Sequence, residues 1–158
     1  MSFSDAIRSC FSKYATFSGR ASRPEYWWFV LFLFLGGLAA RTIDGVLIPA
    51  GGPSAITGLF QLATLLPLLA VGWRRMHDTG RPGWMIFLPM IVSVAFIFFA
   101  VVGFATGPNP TPGTATGNTR FVILGLLQLV ATGFILWWLT RPSDPGENAY
   151  GPNPQEAP

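Results

Sequence analysis

The sequence has few charged residues. Asp, Glu, Lys and Arg make up 11% of its 158 residues, less than half of the roughly 25% that is typical of soluble domains. Hydrophobic residues make up 51%, and the mean hydropathy is +0.47. This balance excludes an intrinsically disordered chain and an ordinary soluble enzyme. It predicts an integral membrane protein, and the length predicts one domain over residues 1–158.

Cysteine and histidine are also scarce, since Cys10 and His77 are the only residues of these types. A single cysteine excludes an internal disulfide, and the two residues together cannot form a zinc site of several Cys and His ligands. The sequence contains no G-x-S-x-G, S-x-x-K or H-E-x-x-H motif, so the common hydrolase patterns are missing. We therefore predict no catalytic residue, no metal and no cofactor.

Long apolar runs are what the sequence does contain. Each run holds roughly 20 residues, enough at ~1.5 Å per residue to cross ~30 Å of hydrocarbon as a helix. The fold class predicted is therefore all-α, with four transmembrane helices. Their predicted bounds are Pro24–Ile43, Ile56–Trp73, Trp84–Thr106 and Phe121–Thr140, and the connections between them are Gly45–Ser54, Asp78–Gly83 and Gly107–Thr119.

Basic residues and tryptophans indicate the orientation of these spans. Lys and Arg collect on the cytoplasmic side of membrane proteins, and Trp favours the interface. Eight of the ten basic residues lie in the N-terminal segment, the second connection and the tail, and all six tryptophans lie at the same helix ends. We predict an integral membrane protein with both termini cytoplasmic. It consists of an amphipathic segment (residues 1–23), the transmembrane region (24–140) and a tail rich in Pro and Gly (141–158).

The N-terminal segment carries an apolar stripe of its own. Phe3, Ile7, Cys10, Phe11 and Tyr14 share one face of a predicted helix, which favours a short interfacial helix on the inner leaflet. Packing of the same stripe on the cytoplasmic ends of the bundle explains the spacing equally well. In either arrangement we interpret Cys10 as an apolar filler.

Two polar segments, Gly19–Trp28 and Trp73–Trp84, contain the remaining candidate residues. Ser22 and Glu25 have the spacing of a capping box at a helix start. Asp78 follows a predicted helix C-terminus, where the dipole disfavours a carboxylate, so we expect an arginine partner from either segment. Arg41 and Asp44, three residues apart near the end of the first span, are also expected to pair. The candidate cluster for headgroup binding is Arg20, Arg23, Glu25, Arg74, Arg75, His77, Asp78 and Arg81.

Three ordered motifs carry a family resemblance. They are G-R-A-x-R-x-E-Y-W from Gly19, R-R-x-H-D…G-W from Arg74 and P-G-x-N-x-Y-G from Pro145. The chain thereby resembles the bacterial inner-membrane family named domain of unknown function 805. This resemblance implies a location and a class of protein, and it implies no reaction. It also favours docking of the tail on the inner face, with a turn at Asn148 to Gly151.

The function expected from these features is that of an accessory or interaction protein whose arginines contact anionic lipid headgroups. A sharper hypothesis lets the five arginines of the cluster converge on one phosphate group. The alternatives are a small-solute transporter or channel subunit, and a lipid-modifying enzyme using His77 and Asp78, although His77 can equally stack on Trp73. Expected partners are membrane lipids and either a membrane protein or a second copy of the chain. Nucleic acid is not expected.

Overall fold

The computed structural model describes residues 1–48, 52–106 and 115–156. Every regular element in these ranges is a helix, as predicted. Five α-helices and one 3-10 helix occur. Their bounds are Phe3–Ser12 (α1), Arg23–Leu47 (α2), Ala55–Asp78 (α3), Gly83–Phe87 (3-10), Leu88–Thr106 (α4) and Ala115–Thr140 (α5).

The chain divides into two compact units. The first unit consists of Met1–Gly83 together with Arg141–Pro158, and the second consists of Trp84–Thr140. In the first unit α1, α2 and α3 pack on one another, and in the second α4 packs on α5. The tail therefore belongs to the unit that contains the first three helices, although it follows α5 in sequence.

Among the residues that the structure describes, three helices are long and apolar enough to cross a membrane, and they lie at Arg23–Leu47, Ala55–Asp78 and Val122–Thr140. They coincide with the first, second and fourth predicted spans. The third predicted span begins with a 3-10 helix at Gly83–Phe87 instead of an α-helix, and the apolar stretch described there, Gly83–Phe98, is shorter than the others. Helix α5 begins at Ala115, which lies inside the predicted connection Gly107–Thr119. Residues 107–114 lie outside the described ranges.

Side chains that bind backbone N–H groups mark the helix starts. Ser2 and Asp5 form a complete capping box at α1, and hydrogen bonds from Ser2 lower the pKa of the Asp5 carboxyl. The carboxylate of Asp44 accepts hydrogen bonds from the backbone N–H of Ile56 (3.0 Å) and of Thr57 (2.9 Å). The expected pairing of Asp44 with Arg41 is therefore replaced by a cap on α3, because the unpaired N–H groups of a helix start are strong donors.

The apolar side of α1 packs on the helices of its own unit. Ala6 and Cys10 are fully buried, and the ring of Phe11 meets those of Phe29 and Phe32 edge to face at 5.8 and 5.9 Å. Burial raises the pKa of the Cys10 thiol to about 12, which keeps it protonated at neutral pH. The apolar stripe of α1 thus packs on the helix bundle, which is one of the two arrangements considered from the sequence. Cys10 fills an apolar site, as predicted.

Tyr14 compensates for a proline in the middle of α3. Pro67 lacks an N–H, so the carbonyl of Ala63, four residues earlier, loses its helical donor. The Tyr14 hydroxyl donates to that carbonyl oxygen at 2.7 Å. This hydrogen bond fixes the chain just after α1 against the side of α3, and it satisfies a backbone group that an apolar environment leaves without water.

Tyr14→Phe is expected to lower the free energy of unfolding by about 0.5–1.5 kcal/mol, the usual net value of one neutral hydrogen bond. Chemical denaturation of the full chain in neutral detergent measures the loss. Pro67→Ala supplies the matched background, because residue 67 then donates to the Ala63 carbonyl itself. An equal loss from Tyr14→Phe in both backgrounds would show that the hydroxyl acts elsewhere.

A polar contact joins the two helices of the second unit. Ser93 Oγ of α4 donates to Gln128 Oε1 of α5 at 3.2 Å, and Gln128 Nε2 lies 3.5 Å from Thr132 Oγ1. Gln128 therefore joins α4 and α5 by a hydrogen bond. Such side-chain bonds substitute for the hydrophobic effect, which is weak between helices in lipid.

Candidate functional site

Five buried charged side chains meet at the end of the first unit where α3 stops and α2 starts. We call them the polar cluster. Their exposed fractions lie between 0 and 6%, although Arg, Glu and Asp are rarely buried unless they are paired. The polar cluster consists of Arg20, Glu25, Arg74, Arg75 and Asp78.

Asp78 forms the centre of the polar cluster. Its Oδ1 accepts from Arg20 Nε at 2.9 Å, and its Oδ2 accepts from Arg75 Nη1. Ser143 Oγ donates to the same Oδ2 at 2.5 Å. The prediction that arginine neutralises Asp78 is confirmed, and the two arginines come from the two sources considered, the segment before α2 and the helix that carries Asp78.

Arg20 uses all five of its N–H groups. Besides the Nε bond to Asp78, Nη1 donates to the carbonyl oxygens of Gly146 (2.7 Å) and Gly151 (3.2 Å). Nη2 donates to the carbonyl oxygens of Asp144 (2.6 Å) and Asp78 (3.4 Å). Since a guanidinium has five N–H donors, Arg20 is saturated by this chain. It holds the tail to α3 and keeps no donor for a ligand.

The tail docks on the end of α3, as predicted. The backbone N–H of Asp144 donates to the Asp78 carbonyl at 2.9 Å, and Asn148 Nδ2 donates to the His77 carbonyl at 3.0 Å. Asn148 and Gly151 form an isolated β-bridge. Gly146 and Gly151 have positive φ angles of 65° and 125°, which explains why this turn needs glycine at both positions.

His77 contacts two aromatic rings, one stacked on it and one edge to face. Its ring lies parallel to that of Tyr150, with centroids 3.8 Å apart, and meets Trp73 edge to face at 6.2 Å. The Nδ1 atom lies 3.1 Å from the Gly19 carbonyl oxygen. Since a carbonyl oxygen only accepts, Nδ1 carries a proton. The predicted contact with Trp73 is present, but it is edge to face, and the ring that stacks on His77 is Tyr150. The contacts of His77 are separate from those of the Asp78 carboxylate.

Glu25 belongs to a second ion pair. Ser22 Oγ accepts from the Glu25 backbone N–H at 3.4 Å, so Ser22 caps α2 as predicted. The Glu25 carboxylate is bound by Arg74 Nη1 and by Ser9 Oγ, both at 3.0 Å. These two bonds tie α2 to α3 and to α1, a role that the capping-box spacing did not indicate.

Arg23 and Arg81 lie at the edge of the polar cluster. Arg23 is the first residue of α2 and is exposed. Arg81 is partly exposed and donates to the Thr79 carbonyl at 2.8 Å. Partial burial, followed by the nearby Arg141, lowers the pKa of the Arg81 guanidinium. Of the eight predicted residues, the structure therefore gathers six in or beside the polar cluster and leaves these two at its rim.

Sequence reasoning missed four side chains of the site. Asn148 and Tyr150 belong to the tail motif, so their contacts with His77 had a signal in the sequence. Ser9 and Ser143 had none, because a lone serine in a helix or a tail is common on any surface. Their carboxylate partners, Glu25 and Asp78, were recognisable only as buried charges that need donors.

Three apolar helices and a buried polar cluster at one end define a small helical membrane protein. The chain belongs to the family described as protein of unknown function (DUF805), whose model matches residues 14–152. The matched range holds all three motifs on which the resemblance rests, so that interpretation is confirmed. It begins after α1 and includes most of the tail.

Two curated relatives come from Escherichia coli strain K12. The chain is 36% identical to inner membrane protein YhaH over 104 residues, which cover 63% of this chain and 82% of the relative. It is 39% identical to inner membrane protein YhaI over 108 residues, which cover 64% and 86%. No solved structure matches the chain. The relatives are thus inner membrane proteins, which agrees with the apolar helices found here.

Proposed function

We propose that this protein is an accessory or interaction protein of the inner membrane, with four transmembrane helices and both termini in the cytoplasm. Its arginine-rich end lies at the inner leaflet and contacts anionic lipid headgroups. The observation that supports this most is the polar cluster, whose ion pairs build a rigid platform at one end of the first unit. Two exposed basic residues, Lys13 and Arg23, lie beside that platform.

The placement of charge and aromatic rings supports the headgroup contact. Arg23 is the first residue of a candidate span, and Trp28, which is 39% exposed, follows one turn later. A basic residue at the start of a span and an amphipathic ring within its first turns are typical of the cytoplasmic interface. Each Lys or Arg near an anionic surface contributes about 1 kcal/mol to its attraction.

The contacts of His77 and Asp78 support a binding role over a catalytic one. A general base with an orienting carboxylate needs the carboxylate on the imidazole, whereas here Asp78 binds two arginines and His77 binds the Gly19 carbonyl. The described residues also hold no group of three His, Cys, Asp or Glu side chains arranged for a metal ion. A membrane protein or a second copy of the chain is the further partner we propose.

Reporter fusions test the proposed topology. A reporter that is active only outside the cytoplasm should be active after Gly113 and inactive after Pro158, because the first lies in a proposed outer loop and the second in the cytoplasmic tail. A reporter that is active only in the cytoplasm serves as the control and should give the opposite pattern. Activity of the first reporter after Pro158 would refute the proposed orientation.

Lipid retention tests the headgroup contact. After purification in mild neutral detergent, native mass spectrometry should find anionic lipid enriched on the protein relative to its share of the membrane. Arg23→Glu should reduce this enrichment, because its exposed side chain lies at the start of a candidate span on the proposed interface. Retention that mirrors the membrane composition would contradict the proposed contact.

A further inference from the structure

A cavity of about 310 Å³ lies beside the polar cluster. It is lined by the segment between α1 and α2, by the end of α3 and by the docked tail. The lining carries three cationic side chains, Lys13, Arg20 and Arg74, and it includes no carboxylate. It also holds three hydroxyl-bearing residues, Thr16, Ser18 and Tyr150. A cavity of this composition is suited to an anion with several oxygen atoms.

Arg74 differs from Arg20 in its unused donors. Arg74 is 1% exposed, and its bond to Glu25 engages only Nη1. Its Nε and Nη2 atoms are buried and have no hydrogen-bond partner among the described residues. Buried charged donors are normally satisfied, and Arg74 is one of the residues that line the cavity.

The charge balance points the same way. Within the polar cluster three arginines face two carboxylates, so one positive charge is not neutralised there. Lys13, which is exposed and lines the cavity, adds a second positive charge. A cavity that has low-dielectric walls and carries only positive charges concentrates an anion. The planar guanidinium group binds phosphate oxygens through paired N–H groups.

We propose that this cavity binds one phosphate group, held by Arg74 and Lys13 with the hydroxyls of Thr16 and Ser18 as further donors. The phosphate belongs either to a lipid headgroup or to a soluble phosphate, and only the lipid source rests on the function proposed above. The site differs from a convergence of five arginines, since Arg20 and Arg75 are bound to Asp78 and to backbone carbonyls.

Thermal unfolding of the full chain in neutral detergent tests the site with two probes. Inorganic phosphate is compared with chloride at equal ionic strength, and short-chain phosphatidylglycerol is compared with phosphate-free diacylglycerol. We expect saturable stabilisation by at least one phosphate-bearing probe and none by its reference. Response to phosphatidylglycerol alone assigns the lipid source, and response to inorganic phosphate alone assigns the soluble source and overturns the headgroup function while the site stands.

Lys13→Glu and Arg8→Glu are the matched variants. Both reverse one exposed charge near α1, but only Lys13 lines the cavity. Reversal at Lys13 is expected to weaken binding of the responding probe roughly 25-fold, which is what a change of two charge units near an anion is worth. Reversal at Arg8 is expected to leave that binding unchanged. Arg74→Lys keeps the positive charge but loses the paired N–H groups of the guanidinium, and it should also weaken binding of the responding probe.

Two results would overturn the cavity site. Absence of stabilisation by either probe would show that the cavity binds no phosphate. Equal weakening by Lys13→Glu and Arg8→Glu would show that the anion senses the basic surface as a whole, in which case the headgroup function survives and the site does not. Because Lys13 has no part in the polar cluster, its reversal tests the site even if Arg74→Lys fails to fold.

Discussion

Asp78→Asn is expected to destabilise the protein by about 3–5 kcal/mol, the range found when one partner of a buried ion pair is removed. The carboxylate is fully buried and neutralises both Arg20 and Arg75. Asparagine keeps the size of the side chain but leaves two buried guanidinium groups without their counter-ion. Chemical denaturation of the full chain in neutral detergent measures the loss, and correct membrane insertion shows that the variant is made.

Asp44→Asn is the matched control for this variant. Asp44 is also buried, but its carboxylate binds backbone N–H groups at the start of α3 instead of arginines. Asparagine keeps one acceptor oxygen for these N–H groups and loses the other, so we expect a loss of about 1–2 kcal/mol, the cost of one hydrogen bond. A double-mutant cycle of Asp78→Asn with Arg75→Gln should give a coupling of roughly 0.5–3 kcal/mol. Equal losses at positions 44 and 78, or no coupling, would contradict the role of Asp78.

The helices were predictable because their signal is local. A run of apolar residues long enough to cross a membrane predicts a helix wherever it occurs, and the observed α2 and α3 extend the predicted spans by one to five residues at each end. The extension at the C-terminal end of α3 matters most, since it carries Arg74, Arg75 and Asp78 as helical residues. The apolar run ends at Trp73, but the helix continues because its last turn is stabilised by ion pairs.

The polar cluster was predictable in its members and not in its pairing. The position of Asp78 at a helix C-terminus indicates that it needs a cation, and the sequence offers four arginines within reach. The choice of both Arg20 and Arg75 depends on how α2 packs against α3, which the apolar faces do not encode in detail. Glu25 likewise had a local role available at the capping box, and its pairing with Arg74, 49 residues away, depends on the tertiary structure.

Backbone acceptors were the least predictable part of the site. Pro67 indicates that the Ala63 carbonyl lacks its helical donor, but the donor, Tyr14, lies 49 residues from that carbonyl in sequence. Arg20 binds four carbonyl oxygens, and a carbonyl is present at every residue. The tail motif indicated a turn at Asn148 to Gly151, and only the structure shows that Gly146 and Gly151 present their carbonyl oxygens to one guanidinium.

Arg20→Lys is expected to release the tail from the end of α3. Lysine keeps the positive charge beside Asp78, but its single ammonium has three donors and lacks the planar fork. It cannot reach Asp78 and the carbonyl oxygens of Gly146, Gly151 and Asp144 together. Hydrogen bonds of a charged donor contribute roughly 1.5–3 kcal/mol each and are not additive, so we expect a total loss of about 3 kcal/mol.

Proteolysis separates release of the tail from loss of the ion pair. Glu147 is exposed within the docked turn, so a glutamate-specific protease should cut there faster in Arg20→Lys than in the unmodified chain. Arg23→Lys is the control, because Arg23 is exposed at the start of α2 and exposed substitutions change stability by less than about 0.5 kcal/mol. Unchanged cleavage at Glu147 together with lower stability would mean that Arg20 acts through Asp78 alone. Faster cleavage in Arg20→Lys, which retains the positive charge, would instead show that hydrogen bonds from the guanidinium to the carbonyl oxygens hold the tail.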